Sequence, residues 1–310
     1  MKDGRYLFSI IHYDSEKEKE IYMNDYVIVT ESCCDLPLNL INKYNIKTIP
    51  MSFVLDGKAY KQYSDNRELS LKDFYTTLRS GFYSQTAAVN LMDARDIFEK
   101  ELKEGKDILY IGFSSALSSN FQSVNMVLED LREEYPDRII EIIDSKAATA
   151  GLGLIVYYAG KLLADGFSLL ENKSRVLNIS ANINHNFMVD DLNFLKHGGR
   201  ISATTAVAGT ILSIKPVLKI NELGEVTLET KTRGRIKGIA HLRTKFEENH
   251  KDNDIVFIGH TDNPEEAEKM KLKLQETYPA YNFVVFEIGP IIGSHLGPDA
   301  IAIVFLGEGR

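Results

Sequence analysis

Residues 107–143 read DILYIGFSSALSSNFQSVNMVLEDLREEYPDRIIEII, and this stretch indicates the fold class. Its first seven residues are the apolar run of a buried strand. Residues 120–135 have the apolar spacing of a helix, and residues 138–143 read as a second strand. Strands that alternate with helices indicate a mainly parallel sheet with helices on both faces.

The alternation continues on both sides of this stretch. In the N-terminal half we predict strands at 26–29 and 47–55 and helices at 36–44, 70–80, 91–104, 147–165 and 168–183. In the C-terminal half we predict strands at 187–189, 254–259, 282–288 and 300–305, a hairpin of 217–220 and 225–230, and helices at 203–213, 236–249 and 264–278. At about 150 residues per domain, this pattern predicts two α/β domains, residues 25–167 and 168–310, with a mainly parallel sheet in the first and a mixed sheet in the second.

The composition and the net charge argue against several classes of function. The chain has 310 residues, a net charge of −8 and a pI of about 5.5, and it carries no long basic patch, so nucleic-acid binding is not expected. It has neither an apolar run of membrane-spanning length nor a secretory signal pattern. The two cysteines, Cys33 and Cys34, are adjacent, which predicts reduced thiols and a cytoplasmic protein.

Residues 1–24 differ from the rest of the chain. They contain a charge run at 15–20 and a short apolar patch, and the regular alternation begins only at Tyr26. We interpret them as an N-terminal extension that is not necessarily native, with Met23 as the biological start. Mass spectrometry of the native N-terminus tests this interpretation.

Polar side chains follow several predicted strands, where ligands bind in open α/β sheets. They are Ser32, the Ser114-Ser115 pair, Asp144, Thr261 and His295. Ser32, Asp144 and Thr261 have a simpler explanation as helix caps. Residues 114–119 contain four hydroxyls, more than one cap needs, which favours a ligand role for at least one of them.

Residues 289–298 read GPIIGSHLGP and lie between two predicted strands. The glycines and prolines predict a short rigid loop that presents His295, either to solvent or to a ligand. Arg200, in a glycine-rich turn, can hold a carboxylate or remain a surface cation. Residues 83–86 predict a loop or the lip of a ligand site. Dinucleotide and phosphate-loop motifs are missing, which weakens a nucleotide-binding interpretation. The nucleophile-elbow motif of serine hydrolases is missing as well.

Several short motifs, taken in order, resemble the DegV family of bacterial fatty-acid-binding proteins. They are TESCCDLP at 30–37, SQ at 84–85, FSSALS at 113–118, DS at 144–145, GRIS at 199–202, IKP at 214–216, GH at 259–260 and the segment 289–298. The resemblance runs from about Asp25 to the C-terminus. It implies a fatty acid held between the two α/β domains, with no metal or other cofactor.

The resemblance also implies a partner and a site. Members of the family act as the binding subunit of a fatty-acid kinase, whose catalytic subunit uses ATP to form an acyl phosphate; transient membrane contact is compatible with this role. The implied carboxylate site consists of Tyr83, Ser84, Ser114, Ser115 and His295. Arg200 and Ser32 are expected at the carboxylate mouth or at the contact with the partner.

The chain departs from the family pattern near this site. Tyr83 replaces the usual Thr before the Ser-Gln pair, and Thr86 replaces a frequent Pro after it. An alternative interpretation is a serine hydrolase of acyl esters, with Ser114 or Ser115 as nucleophile and His295 as base. Against this alternative, the sequence shows no evident acid to orient His295.

Overall fold

The computed structural model describes residues 25–201, 214–251 and 255–310. The expectations for residues 1–24 and for a helix at 203–213 lie outside the described residues. Within the described residues the strands are β1 Tyr26–Glu31, β2 Lys47–Ile49, β3 Met51–Leu55, β4 Lys58–Gln62, β5 Ser84–Thr86, β6 Asp107–Gly112, β7 Ile140–Asp144, β8 Ile183–Met188, β9 Ile214–Ile220, β10 Val226–Arg233, β11 Val256–His260, β12 Phe283–Glu287 and β13 Ile301–Leu306.

The helices follow the same order along the chain. They are α1 Leu38–Lys43, α2 Leu71–Arg79, α3 Leu91–Lys103, α4 Asn120–Glu134, α5 Thr149–Ala164, α6 Leu169–Ala181, α7 Asn193–His197, α8 Arg235–Asn249, α9 Pro264–Thr277 and α10 Pro290–Leu296. Ser70 and Asn90 cap α2 and α3, because their side-chain oxygens accept hydrogen bonds from backbone N–H groups of the first turn.

Two large sheets form the molecule, as the sequence predicts. Strands β2-β1-β6-β7 form a four-stranded sheet in which every pairing is parallel. Strands β10-β9-β8-β13-β11-β12 form a six-stranded mixed sheet in which only β11 and β12 pair in parallel. A third, small antiparallel sheet of β4-β3-β5 completes the N-terminal half.

Helix α5 lies between the two large sheets. Its sequence is almost entirely apolar or small, and eleven of its 16 residues are buried. It contacts β1 and β6 of the parallel sheet and β8, β11 and β13 of the mixed sheet. A helix that is apolar all round belongs in a core, and α5, with most of its residues buried, joins the two halves through one core.

Several local predictions differ from the structure. The strand predicted at 47–55 is two strands, β2 and β3, in different sheets, and residues 84–86 of the predicted loop or lip form strand β5. The segment predicted as a rigid loop at 289–298 is largely helical, because Pro290 occupies the first position of α10 and Gly297, at φ 69°, ends it. Proline and glycine at these two positions are helix-boundary signals as well as turn signals. Strand β8 begins at Ile183, earlier than predicted, where the sequence pattern continued the preceding helix.

Candidate functional site

A cavity of about 150 Å³ lies between the N-terminal and C-terminal halves. Apolar side chains form most of its wall: Met51, Ala87, Ala88, Phe113, Leu117, Ala148, Phe187, Leu195, Ile220, Val226, Ile291, Ile292, Leu296 and Ala302. The polar residues of the wall are Thr86, Ser118, Ser119, Thr149, His185, Arg200 and His295. Within the described residues the wall contains no Asp or Glu, so it suits an apolar molecule with an acidic or hydrogen-bonding end.

His295 lies in the last turn of α10 and faces the cavity. Its Nε2 shares a hydrogen bond of 3.0 Å with Thr86 Oγ1. Its Nδ1 is buried and has no partner among the described residues. Nδ1 lies so close to Gly198 that a Cβ atom there would be 2.0 Å away. A glycine is therefore required where α7 meets this imidazole.

The His295 imidazole is neutral at pH 7. Burial, with smaller contributions from the neighbouring Arg200 and His197, lowers its pKa to about 4. A neutral imidazole offers one N–H donor and one acceptor nitrogen. With its proton on Nε2, the imidazole donates to Thr86 Oγ1 and leaves the Thr86 O–H to donate to a carboxylate; the Nε2–H itself can donate to a carboxylate only by sharing or giving up its bond to Thr86.

Three contacts from the N-terminal half hold the start of α10. Gln62 Oε1 accepts a hydrogen bond of 2.7 Å from the Ile291 N–H, and Asp35 Oδ1 accepts one of 3.1 Å from the Gly289 N–H. The Tyr75 hydroxyl donates to the Ile288 carbonyl at 2.6 Å. These contacts satisfy backbone groups at the helix start and fix the helix that carries His295.

Asp35 also connects this helix to α5. Its Oδ2 accepts a hydrogen bond of 2.7 Å from the hydroxyl of Thr149, a residue of the cavity wall. Burial raises the pKa of the Asp35 carboxyl to about 7, although the hydrogen bonds from Thr149, Gly289 and Gln62 act in the opposite direction. The carboxyl therefore gains or loses its proton near neutral pH.

Arg200 lines the cavity from an exposed position. Its guanidinium donates to the carbonyls of Leu117, at 3.2 Å, and Gly198. These two bonds leave other N–H groups of the guanidinium available, because a guanidinium has five donors. The structure thus brings His295 and Arg200, both predicted site residues, to the same cavity.

The predicted serines make hydrogen bonds to the protein instead. Ser114 Oγ donates to the Gly224 carbonyl at 2.8 Å, and Ser115 Oγ donates to Asp144 Oδ2 at 2.5 Å. Ser84 Oγ donates to the Val54 carbonyl at 3.1 Å. None of the three serines belongs to the cavity wall, and their role in carboxylate binding stays a prediction.

Two further predicted residues also lie outside the wall. Tyr83 is 43% exposed and its ring stacks on His197, at 4.3 Å between ring centroids, and contacts Phe194. Ser32 is buried, and its Oγ accepts a hydrogen bond of 3.1 Å from the Met51 N–H. Their proposed roles at the carboxylate or the mouth remain untested.

The hydrolase alternative finds no support in this geometry. Acyl transfer by a serine needs the hydroxyl within hydrogen-bond reach of its base. Ser114 and Ser115 are instead bonded to Gly224 and Asp144, and the Nε2 of His295 is bonded to Thr86.

The sequence interpretation did not single out Thr86, Thr149 or His185 as site residues, although Thr86 lay in the predicted loop or lip at 83–86. Ser118 and Ser119, two of the four hydroxyls at 114–119, do line the cavity. A signal existed for Thr86, because it lies two positions after Ser84 on β5 and alternate residues of a strand share a face. No local signal existed for Thr149 and His185, which reach the cavity through the packing of α5 on the mixed sheet.

The described residues also bear on metal binding and on membrane insertion. No group of three His, Cys, Asp or Glu side chains in these residues suits a metal ion. None of the helices that they form combines the length and the apolar character needed to cross a bilayer.

A family model described as an uncharacterised protein of the DegV family matches residues 25–308. The chain belongs to the DegV family. A DegV domain-containing protein of Clostridium perfringens is 39% identical over 288 residues, which cover 92% of this chain and 99% of that protein. One of Streptococcus pyogenes serotype M3 is 32% identical over 283 residues, which cover 91% and 98%.

Solved structures of other DegV proteins have the same fold. One from Thermus thermophilus, described for its fatty acid binding, gives a TM-score of 0.82 at 25% identity and covers 92% of this chain and 100% of that chain. A fatty acid binding DegV family protein of Streptococcus agalactiae gives 0.81 at 25% identity, covering 93% and 100%. A stearic acid-binding protein of Eubacterium ventriosum gives 0.79 at 25% identity, covering 90% and 98%. The predicted family and fold class are confirmed.

Proposed function

We propose that this DegV protein binds a long-chain fatty acid, with the acyl tail in the apolar cavity and the carboxylate beside His295. The observation that carries the proposal is the combination of an apolar wall with the His295–Thr86 pair and the Arg200 guanidinium. Fatty-acid binding by the structural relatives from Thermus thermophilus and Streptococcus agalactiae supports it.

The tail and the head group of a fatty acid contribute differently to the free energy of binding. At about 0.8 kcal/mol per buried methylene, some fifteen methylenes contribute roughly 12 kcal/mol before ordering costs. The polar residues add orientation, because a hydrogen bond to a carboxylate is stronger than one between neutral groups. We expect Ser84, Ser114 and Ser115 to act on the carboxylate only if ligand binding rearranges their present hydrogen bonds. Tyr83 would have to move its ring from its contacts with His197 and Phe194.

The most direct experiment analyses the protein as purified. Native mass spectrometry, followed by solvent extraction and gas chromatography, is expected to find a fatty acid at close to one molecule per chain. A delipidated sample should then bind added octadecanoic acid. A protein that carries no acyl chain and binds none at micromolar lipid would contradict the proposal.

We further propose that the bound fatty acid is presented in the cytoplasm to the catalytic subunit of an ATP-dependent fatty-acid kinase. The support is the family resemblance and the partly exposed position of Arg200 at the cavity, where a partner can reach it. Loaded protein mixed with such a kinase, Mg²⁺ and ATP should yield an acyl phosphate, which hydroxylamine traps as a hydroxamate. Failure to form hydroxamate with kinases from the same organism would exclude this role without affecting the binding proposal.

A further inference from the structure

The mixed-sheet side of the cavity contains one imidazole in an apolar neighbourhood. Pairing of β8 with β9 puts Asn186 opposite Lys219, so His185 comes opposite Ile220. Ile220 in turn pairs with Val226 of β10, and Phe187 follows two positions later on the same face of β8. All four side chains, His185, Ile220, Val226 and Phe187, belong to the cavity wall.

His185 is 5% exposed and forms no hydrogen bond with the described residues. Its Nδ1 lies against α5, where a Cβ atom on Gly151 would be 2.8 Å away. That side of the ring is closed by protein, so Nε2 is the nitrogen left for a molecule in the cavity. The unpartnered Nδ1 cannot be reached from the cavity. A ligand oxygen at Nε2 would form a new hydrogen bond, with a net contribution of about 0.5–1.5 kcal/mol.

The imidazole is also uncharged. Burial, together with the positive charge of Arg310, lowers the pKa of His185 to about 3. A neutral imidazole both donates and accepts hydrogen bonds, which matches a hydroxyl or a carbonyl oxygen. The fatty-acid carboxylate has a better position beside His295, where Thr86 and Arg200 add a hydroxyl and a positive charge.

We infer that His185 is a second polar contact in the acyl cavity and recognises an oxygen substituent, a hydroxyl or a keto group, on the chain of the fatty acid. This inference rests on the proposed function, since it assumes that an acyl tail passes along the mixed sheet. The ligand class is therefore the hydroxy- and oxo-fatty acids. His185 acts as a specificity-determining residue within the cavity.

The test compares ligands that differ by one oxygen. Delipidated protein is titrated with octadecanoic acid and with hydroxyoctadecanoic and oxooctadecanoic acids that differ only in the position of the substituent. The wild type is expected to prefer at least one substituted acid, and His185→Leu should reduce that preference about fivefold or more. Comparing hydroxy and oxo acids at that position shows which oxygen is recognised.

Two further variants separate recognition from packing. His185→Gln keeps a hydrogen-bonding group near the position of Nε2 and should retain part of the preference. Phe187→Leu, on the same face of the same strand, should change the affinities for plain and substituted acids by similar factors. Because His185 forms no hydrogen bond with the described residues, the unliganded His185→Leu variant should melt no lower than the wild type.

Two outcomes would overturn the inference. One is equal discrimination between plain and substituted acids by the wild type and His185→Leu at every position tried, as expected if only water meets the imidazole. The other is a lower melting temperature of unliganded His185→Leu, which would indicate a structural role. If plain octadecanoic acid binds normally in either case, the proposed fatty-acid binding stands while this inference fails.

Discussion

The Thr86 hydroxyl is the side-chain partner of His295 and lies at the cavity. Replacing Thr86 by Val keeps the side-chain shape and removes this hydroxyl. The variant should bind fatty acid about tenfold more weakly, because the imidazole loses an orienting contact and the carboxylate loses a donor. Isothermal titration of delipidated protein measures the change. Thr86→Ser is the matched control and should bind like the wild type; equal weakening in both variants would contradict the role of the hydroxyl.

Glu31 gives a pH-dependent prediction. It is fully buried, and burial raises its pKa from 4.5 to about 7, although Tyr110 and the Phe113 N–H donate hydrogen bonds to it. Between these two values the folded protein binds a proton that the unfolded chain does not, so this contribution to stability falls as the pH rises from about 4.5 to 7. Glu31→Gln has no such titration.

The free energy of unfolding of Glu31→Gln should therefore increase relative to the wild type between pH 5 and pH 8, by at most about 3 kcal/mol. Urea unfolding of both proteins at the two pH values measures the difference. Asp35, whose pKa is also raised to about 7, acts in the same direction in both proteins and cancels. A constant difference between the two proteins would contradict an uncharged Glu31.

The sequence predicted the position of some candidate site residues better than that of others. His295 and Arg200, which were singled out because they lie in motifs with distinctive glycines, line the cavity, and their role in carboxylate binding stays a prediction. The hydroxyls of Ser114 and Ser115 could not be assigned from sequence, because one of their acceptors, Gly224, is 110 residues away and approaches only through the fold. From the sequence alone, a hydroxyl that donates to a remote carbonyl cannot be distinguished from one that binds a ligand.

At the scale of elements, the contact between α7 and α10 sets the position of His295. Gly198→Ala would put a Cβ atom 2.0 Å from the His295 Nδ1, so the imidazole or the turn after α7 must move. We expect this variant to lose fatty-acid affinity by at least tenfold. Ligand titration measures the loss, and a thermal melt checks that the variant is folded.

The neighbouring Gly199 provides the control. Its φ is 68°, and an added Cβ atom would meet nothing within 4 Å. Gly199→Ala should therefore cost about 1 kcal/mol of stability through backbone strain but leave the imidazole in place. Similar affinity losses in the two variants would show that the turn as a whole, and not the approach to His295, controls binding.

Elements were predicted best where apolar periodicity was long. Strand β6 and helix α4 appear close to their predicted bounds. Helix α10 was missed because its seven residues are too few for a periodic signal, and Pro290 and Gly297 suggested turns. Its start is held by residues far away in the chain, among them Gln62 and Tyr75, which no local pattern reveals.

At the scale of the whole molecule, α5 couples the two halves. Because α5 is buried against both large sheets, neither half can unfold without exposing its apolar surface. Arg79 of α2 adds ion pairs of 2.6 and 2.7 Å with Asp262 and Asp299 of the C-terminal half. We therefore expect one cooperative unfolding transition, although the boundary between residues 167 and 168 stays a prediction.

Differential scanning calorimetry of delipidated protein tests this expectation. One peak with equal calorimetric and van 't Hoff enthalpies should be observed, and fatty acid should move it upward as a whole. Two resolved peaks, or a ligand effect on only one of them, would contradict coupling through α5.

The parallel and mixed sheets followed from strand–helix alternation along the chain. The central position of α5 could not be predicted in this way, because the sequence of an apolar helix does not specify which two surfaces will cover it. The same is true of the cavity, whose wall combines residues from Met51 to Ala302.

The cavity affects the change in volume when the protein unfolds. Space that holds no protein atoms in the folded state is lost when the chain unfolds, so the unfolded protein occupies less volume. Hydrostatic pressure favours the smaller state, and voids of this kind contribute tens of mL/mol to the volume change. An acyl chain bound as proposed would fill this space, so the loaded protein should be harder to unfold by compression than its empty form, beyond the gain expected from binding alone.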